Sequence, residues 1–405
     1  MHNSDISPLL TVFIDGLKPE SLESMPFINS LKSKRRMKTE LGYSITCHTS
    51  MYAGVYPNKH LRWFIWKYSP SSSPFIWSKR LDMCQTLCDN NYIKYLIYRI
   101  AKRLNSNNTS YFSVPFLWDL SLDSWSNFDL TEKVFWSDPN FLENYPTIFE
   151  LLKSYDIDYE IVGMTRGHLD NSSQIVKCHK FNIIKPWTYL FIGDIDPLSH
   201  RFGQSSKYVM TRLKEIDDML EHIYRNFEAN YDDFNFMLFS DHGHVDIEDY
   251  IDLQSIFRSH NLNLNHIIHF VDANFARFWF RSETEKKDVI RLLSHLDDKG
   301  FILSSNHLNK YKINMPDNRY GDLIFYLDMP RIFDRGKLVI AGKQRNHPSV
   351  SAHGYLPDHA GSDGVFVSNR SIVKSSYIRL EDIAPSILSN FGKNRLAYMD
   401  GDIIE

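Results

Sequence analysis

The sequence predicts an α/β protein with a central, mostly parallel sheet flanked by helices. Two uninterrupted apolar runs, Leu9 to Ile14 and Trp187 to Ile192, are typical of strands buried on both faces of such a sheet. Between the strands lie segments with helical periodicity, of which Ser206 to Ala229 is the longest. Strands that alternate with helices along a chain favour a parallel sheet covered by helices.

Composition limits the class of protein. The chain has 405 residues, of which 43% are hydrophobic and 23% charged, and its formal net charge is −3. These values indicate a folded globular protein and give no sign of a nucleic acid polymer as partner. No stretch approaches the roughly 18 apolar residues of a membrane span, and the N-terminus lacks the pattern of a secretory signal. We therefore expect a cytoplasmic protein without a membrane span.

The first sixty residues begin with the strand from Leu9 to Ile14, which ends at Asp15-Gly16. Pro19 to Lys34 is predicted to be a helix because its apolar residues recur at helical spacing. A strand from Arg36 to Leu41 follows. A short helix from Cys47 to Ala53 then ends at Gly54, a residue that commonly terminates helices.

Two hydroxyl side chains, Ser44 and Thr46, stand at the start of this short helix. The first N–H groups of a helix have no partner inside it, and the helix dipole is positive there. This is a suitable place for an oxygen nucleophile that attacks an anion. The alternative is that one of these hydroxyls only caps the helix.

Residues 61–145 have a different character and are predicted to form an aromatic-rich cap insertion. Six of the eight tryptophans of the chain lie here, between segments rich in serine, proline and asparagine. The aromatic side chains either form the core of the cap or line a pocket for an apolar or flat substrate group. Under the second interpretation, the substrate-binding candidates are Trp63, Trp66 and Arg62.

The α/β alternation returns after the cap. We expect a catalytic core made of residues 1–60, 146–260 and 346–405, and a smaller α+β insertion at residues 261–345. The further elements predicted for the core are a helix at Pro146 to Ser154, strands at Tyr159 to Val162, Asn235 to Phe239 and Gly364 to Ser368, and a last helix at Tyr377 to Phe391. Those predicted for the insertion are strands within Ile267 to Phe280 and at Asp322 to Asp328, and a helix at Glu283 to Leu296.

Metal-ligand side chains follow several predicted strands. In chain order they are Asp15, Asp196, His200, Asp241, His242 and His353. Asp15, the Asp196 and His200 segment, and His353 are each, taken alone, more typical of a turn, a cap or another structural role. The Asp241-His242 strand end is a stronger signal, because His244 adds a third ionisable group to it. Together they offer oxygen and nitrogen ligands suited to zinc or similar ions, in a number that fits two ions better than one. Two neighbouring metal ions can clamp a transferring phosphoryl group.

Motifs over nearly the whole chain carry a family resemblance. They are Phe13 to Gly16, Ser44 to His48, Ala53 to His60, Asp196 to Gly203, Ser240 to Gly243, Ala352 to Tyr355, Asp382 to Leu388 and Met399 to Asp402. With these motifs in this order, the chain resembles the alkaline phosphatase superfamily, in particular its type I phosphodiesterase/nucleotide pyrophosphatase branch. The resemblance implies an alkaline-phosphatase-like core.

The resemblance also implies a site with two divalent ions, usually Zn²⁺. One ion would be held by Asp15, Ser44, Asp241 and His242, and the other by Asp196, His200 and His353. The nucleophile of the family falls on Ser44, ten residues before Gly54, with Thr46 as the fallback. Ser44 would attack phosphorus and form a phosphoseryl intermediate that water then hydrolyses.

Some positions depart from the family pattern. The usual nucleophile of this branch is threonine, and Ser44 stands in its place. The family's His-Gly pair is His60-Leu61 here, and Ile65 stands about where an asparagine that binds phosphate is often found. Either another side chain, such as Arg62, Lys67 or a residue of the cap, binds that phosphate oxygen, or the phosphate lies in a different position.

The sequence therefore predicts a metal-dependent phosphodiesterase or pyrophosphatase that acts on a small or amphiphilic phosphoester. A phosphomonoesterase or a phospho-group transferase working at the same site is the first alternative. A non-catalytic binding protein that retains the fold is an alternative of another class.

Overall fold

The computed structural model describes residues 7–79, 92–94, 96–97, 120, 122–165, 168–169, 185–334, 339–340, 343–344, 348–373 and 376–405. The chain divides into two compact units. The first comprises Met1–Leu61, Val134–Asp246 and His353–Glu405, and the second comprises Arg62–Lys133 and Ile247–Ala352. Most of the predicted cap and the whole of the predicted α+β insertion fall in the second unit. Part of the predicted cap, Trp118 included, lies outside the described residues.

The first unit is built on a seven-stranded sheet. Its strands are β1 (Leu9–Ile14), β2 (Ser33–Lys38), β3 (Tyr159–Val162), β4 (Trp187–Ile192), β5 (Asn235–Phe239), β6 (Gly364–Ser368) and β7 (Tyr377–Arg379). They lie side by side in the order β7–β2–β6–β5–β1–β4–β3. Strand β6 runs antiparallel to both its neighbours, and the remaining neighbours pair in parallel. The mostly parallel sheet confirms the predicted fold class.

Strand β1 occupies the middle of the sheet and is buried along its whole length. Its residues alternate between two apolar clusters: Leu9 and Phe13 belong to one, and Leu10, Val12 and Ile14 belong to the other. This alternation places a hydrophobic core on each face of the sheet. Because β5, β1 and β4 are parallel neighbours, their carboxyl ends lie together at one edge.

Helices cover the sheet. They are α1 (Pro26–Ser30), α2 (Ser44–Ala53), α3 (Pro57–His60), α4 (Ile148–Ser154), α5 (Ile195–Phe202), α6 (Lys207–Asn230) and α7 (Ile383–Asn390). Single 3-10 turns lie at Pro19–Ser24, Ala360–Ser362 and Leu380–Asp382, and short strands at Met164–Thr165, His168–Leu169 and Val245–Asp246.

Two predicted helices were wrong in part. The segment predicted as one helix from Pro19 to Lys34 is broken at Met25. Pro26 has no N–H group and disfavours helical geometry in the residue before it, and Ser33 already begins β2. The predicted last helix begins only at Ile383, because its first three residues form strand β7 beside β2.

The second unit contains a four-stranded antiparallel sheet with helices, in agreement with the α+β character predicted for the insertion. The sheet strands are Ile268–Asp272, Phe275–Trp279, Leu323–Leu327 and Gly300–Ile302, and the helices are Leu253–Ser259, Glu283–Leu293 and Ser305–Lys310. Paired short strands are Trp66–Tyr68 with Phe128–Leu130, Asp249–Ile251 with Arg331–Phe333, and Val339–Ile340 with Lys343–Gln344. Single 3-10 turns lie at Asp123–Asn127, Leu264–His266 and Ser294–Leu296, and a short strand at Ser351–Ala352.

Within the part of the chain that the structure describes, no helix is long and apolar enough to cross a membrane.

Candidate active site

The carboxyl ends of three neighbouring strands deliver the acidic side chains of the site. Asp15 directly follows β1, and Asp241 lies two residues after the end of β5. Asp196 comes from the first turn of helix α5, which begins three residues after β4 ends. Because α5 is a helix, Asp196 and His200 are four residues apart and project from the same face.

Ser44 is the first residue of helix α2 and is partly exposed. Its hydroxyl oxygen lies 3.1 Å from Nε2 of His242. The helix starts three residues earlier than the sequence predicted, so Ser44 lies within its first turn. Gly54 ends the helix with a φ of 69°, and its N–H donates to the carbonyl of Ser50.

The first cluster of ligand atoms is formed by Asp15, Asp241 and His242, whose atoms lie within 4.8 Å of one another. Nε2 of His242 is 3.2 Å from Oδ2 of Asp241 and 3.7 Å from Oδ1 of Asp15. Oδ1 of Asp241 accepts hydrogen bonds from the N–H groups of Gly16 and His242. Nδ1 of His242 donates to the carbonyl of Gly243, so its Nε2 lone pair faces the cluster.

The second cluster contains Asp196, His200, His244 and His353, again with ligand atoms within 4.8 Å of one another. Oδ1 of Asp196 lies at its centre. This oxygen is 2.8 Å from Nε2 of His244, 3.3 Å from Nε2 of His200 and 3.5 Å from Nε2 of His353. The structure thus brings together the three residues predicted for the second ion and adds His244 to them.

Burial and neighbouring charged groups set the pKa values of Asp15 and Asp196. Burial, followed by the charges of Asp241 and Asp196, raises the pKa of Asp15 well above its usual value. Burial also acts to raise the pKa of Asp196, but His200 and His244 outweigh it and hold that pKa well below its usual range. The site therefore disfavours the ionised form of Asp15, which a bound cation would stabilise.

Thr46, the fallback nucleophile, is also part of α2 but is fully buried, and its backbone N–H donates to the carbonyl of Tyr43. The structure thus distinguishes the two hydroxyls by exposure and by their neighbours. Ser44 is partly exposed and contacts a residue of the first ligand cluster.

The residues predicted to bind substrate all belong to the second unit. Trp63 and Trp66 are 1% and 0% exposed. Trp66 belongs to an apolar core together with Trp125, Phe128 and other residues of the unit, as the structural interpretation of these aromatics predicts. Nη1 of Arg62 lies 3.9 Å from the carboxylate of Glu132. Contact of these three residues with a substrate stays a prediction.

Sequence reasoning assigned no role to two histidines of the site. His244 was noted only as a further ionisable group near Asp241, and its position two residues after His242 was the available signal. His48 stood inside a family motif, and its Nε2 lies 3.4 Å from Oδ2 of Asp241. The contacts of His244 with Asp196 and of His48 with Asp241 join segments that are distant in sequence, so spacing along the chain does not indicate these contacts.

Comparisons with known proteins agree with this geometry. A family model described as type I phosphodiesterase / nucleotide pyrophosphatase matches residues 9–355. A comparison with curated protein sequences found no match.

Solved structures of ectonucleotide pyrophosphatase / phosphodiesterase 5 are similar to this chain. The murine protein has a TM-score of 0.64 with 11% identity and 96% of each chain covered. The human protein has a TM-score of 0.63 with 12% identity, covering 98% of this chain and 97% of its own. An inactive variant of the murine protein, in complex with AMP, has a TM-score of 0.64 with 11% identity, covering 97% of this chain and 96% of its own. At this level of identity the structures show a shared fold.

Proposed function

Because the chain belongs to the type I phosphodiesterase / nucleotide pyrophosphatase family, a family of phosphoester hydrolases, we propose that it cleaves a phosphodiester or pyrophosphate bond through Ser44. The observation that carries this proposal is the position of the Ser44 hydroxyl. It lies at the start of a ten-residue helix, 3.1 Å from His242 in the first ligand cluster. A nucleophile at the start of a helix faces the positive end of the helix dipole, and this positive charge favours an anionic phosphoester.

The residues of the site fit two divalent metal ions, and we propose Zn²⁺. Oδ1 of Asp15 and Oδ2 of Asp241 are buried and have no hydrogen-bond partner among the described residues. Buried polar atoms without partners are costly unless a ligand satisfies them. Nitrogen and carboxylate ligands in two groups are the donor set that zinc prefers.

Asp15, Ser44, Asp241 and His242 would hold the first ion, and Asp196, His200 and His353 would hold the second. Bound there, two divalent ions supply positive charge that lowers the pKa of an attacking hydroxyl and stabilises a leaving oxygen. The acidic side chains of Asp15 and Asp241 make the surroundings of Ser44 polar and suited to a cation.

Ser44 would carry the covalent step. Its Oγ forms a bond to phosphorus while the bond to the leaving oxygen breaks on the opposite side, and the Ser44 proton passes to solvent water. The backbone N–H groups of Ser44 and Ile45 have no acceptor inside the helix, so they can donate to a non-bridging phosphate oxygen. A water then attacks the phosphoserine in a second displacement and restores the serine hydroxyl.

Full burial of Thr46 supports Ser44 as the nucleophile, since a substrate cannot reach a hydroxyl that is closed off from solvent. For the substrate, we propose a small phosphoester with a nucleotide-type leaving group. The family assignment supports this class, as does the AMP bound in the similar murine structure.

The test is hydrolysis of bis-p-nitrophenyl phosphate and p-nitrophenyl phosphate by the zinc-loaded protein. We expect faster cleavage of the diester and a loss of about a thousandfold or more in kcat for Ser44→Ala, with unchanged folding. Thr46→Ala is the matched control and should retain most of the activity. Faster cleavage of the monoester would favour a phosphomonoesterase or phospho-group transferase. Activity that survives Ser44→Ala and is lost with Thr46→Ala would move the nucleophile to Thr46.

A further inference from the structure

His244 occupies a position in the second ligand cluster that the family-implied ligand set leaves out. Its side chain is fully buried, and its Nε2 lies 2.8 Å from Oδ1 of Asp196. It is placed there by the turn that follows β5, two residues after His242. A buried histidine beside a predicted metal ligand either orients that ligand or binds the ion itself.

The distances in the cluster favour binding. Nε2 atoms of three histidines converge on one carboxylate oxygen, at 2.8 Å for His244, 3.3 Å for His200 and 3.5 Å for His353. In a tetrahedral zinc site with ligand bonds of about 2.1 Å, neighbouring ligand atoms are roughly 3.4 Å apart. The His200 and His353 distances match this spacing, and a shift of about half an ångström would bring His244 to the same value.

The main chain leaves room for this imidazole. A Cβ atom on Gly16 would lie 3.0 Å from both Cδ2 and Nε2 of His244 and 3.3 Å from Cβ of Asp196. Gly16 also has a φ of 70°, which a side chain would strain. The residue after Asp15 therefore has to be a glycine for His244 and Asp196 to approach each other as they do.

We propose that His244 is a fourth protein ligand of the second metal site, which would then consist of Asp196, His200, His244 and His353. This inference rests on the two-metal site of the proposed function. Four protein ligands are the number found in closed, tetrahedral zinc sites, whereas catalytic sites usually have three and an open position. The second ion would then be enclosed by protein ligands and would accept a substrate oxygen only as an additional ligand.

The test compares zinc affinities of the wild type, His244→Gln and His222→Gln by competition with a chromogenic chelator. Glutamine keeps an N–H donor near the position of Nε2 but is a poor zinc ligand, so it separates ligation from orientation of Asp196. We expect two ions in the wild type and a loss of at least tenfold in affinity for one of them in His244→Gln. His222 lies on the exposed face of α6, and its variant should bind both ions as the wild type does.

A second measurement needs no variant. In protein labelled with ¹⁵N-histidine, zinc addition should produce four metal-bound ring nitrogens, from His200, His242, His244 and His353. Only three metal-bound ring nitrogens would show that His244 is not a ligand, and so would zinc affinities of His244→Gln within twofold of the wild type at both sites. Either result would leave the two-metal site itself intact. A wild type that binds fewer than two ions would instead overturn the metal site of the proposed function.

Discussion

Nε2 of His48 lies 3.4 Å from Oδ2 of Asp241, and both atoms are buried without a hydrogen bond among the described residues. His48 is one helical turn after Ser44 on α2. Its ring is held edge-on against Phe13 and Phe191, with ring centroids 4.9 and 5.9 Å away. Burial tends to raise the pKa of Asp241, but His242 and His48 more than offset it, so that pKa lies below its usual value. His48 thus helps to keep a predicted metal ligand ionised and oriented.

Replacing His48 should weaken the first metal site. Without the imidazole, Asp241 loses a residue that contacts it without binding the ion. Loss of a residue that orients a metal ligand in this way typically costs 10–100-fold in metal affinity. We expect His48→Leu to lower zinc affinity at one site by about this factor, as measured by chelator competition, and His48→Gln to restore part of it. Unchanged affinity in His48→Leu would show that the contact does not position Asp241.

The strands that carry the site could be predicted from sequence because they are buried on both faces. Continuous apolar runs identified β1 and β4 with their observed ends, and the polar residues that follow them mark the functional edge. Strand β5 was found in the same way. For such strands the hydrophobic pattern and the parallel pairing point to the same structure.

Helix α2 shows why other parts could not be predicted in full. Nine of its ten residues are buried, many of them small or polar, so it has no amphipathic periodicity. The pattern could not show that Ser44 lies inside the first turn or that His48 faces Asp241. The short strand β7 was missed because its pairing with β2 is a contact distant in sequence, which competes with local helical preference.

Removal of metal ions should destabilise the protein. Burial, followed by the charges of Asp241 and Asp196, raises the pKa of Asp15, and bound cations would relieve the repulsion between these carboxylates. Ligand binding to the native state alone adds about 2.7 kcal/mol of stability at a free concentration 100 times Kd. We expect a chelator to lower Tm and added zinc to restore it, as followed by thermal unfolding. In the double variant Asp15→Asn/Asp241→Asn the change in Tm on adding zinc should be smaller. A wild-type Tm that changes with neither chelator nor zinc would contradict the prediction.

A buried carboxyl pair away from the site should make stability depend on pH. Glu40 lies beside Glu381, and its Oε2 accepts a hydrogen bond of 2.6 Å from Ser50. Burial, then the charge of Glu381, raises the pKa of Glu40 well above 4.5. The native state therefore holds a proton that the unfolded chain has already released, so stability falls as pH rises above about 4.5, by at most about 1.4 kcal/mol per pH unit for one proton.

The variant Glu40→Gln should remove the loss of stability at rising pH, since an amide cannot ionise and its oxygen can still accept a hydrogen bond from Ser50. We expect its free energy of unfolding to exceed that of the wild type by a margin that grows between pH 5 and pH 8, as measured by urea denaturation. Glu23→Gln, at an exposed position, is the control and should show no such growth. A constant difference across this range would mean that Glu40 is ionised in the native state throughout.

Arg277 is a buried cation in the second unit. It is fully buried, and its Nε and Nη2 lie 2.9 and 2.7 Å from Oδ2 of Asp272, while its Nη1 donates to the carbonyl of Trp66. The guanidinium also lies 4.1 Å from the ring centroid of Phe64. Removing one partner of a buried ion pair leaves an uncompensated charge, which typically costs 3–5 kcal/mol.

We therefore expect Arg277→Met to lower the free energy of unfolding by about 3–5 kcal/mol in urea denaturation. In the double variant Asp272→Asn/Arg277→Met the charge of Asp272 is gone, so part of this loss should be recovered. Arg277→Lys keeps the charge but loses the planar contacts with Asp272 and Phe64, and should fall between wild type and Arg277→Met. A double variant less stable than Arg277→Met would show that the cost comes from lost packing around the guanidinium, because removing the charge of Asp272 would then give no benefit.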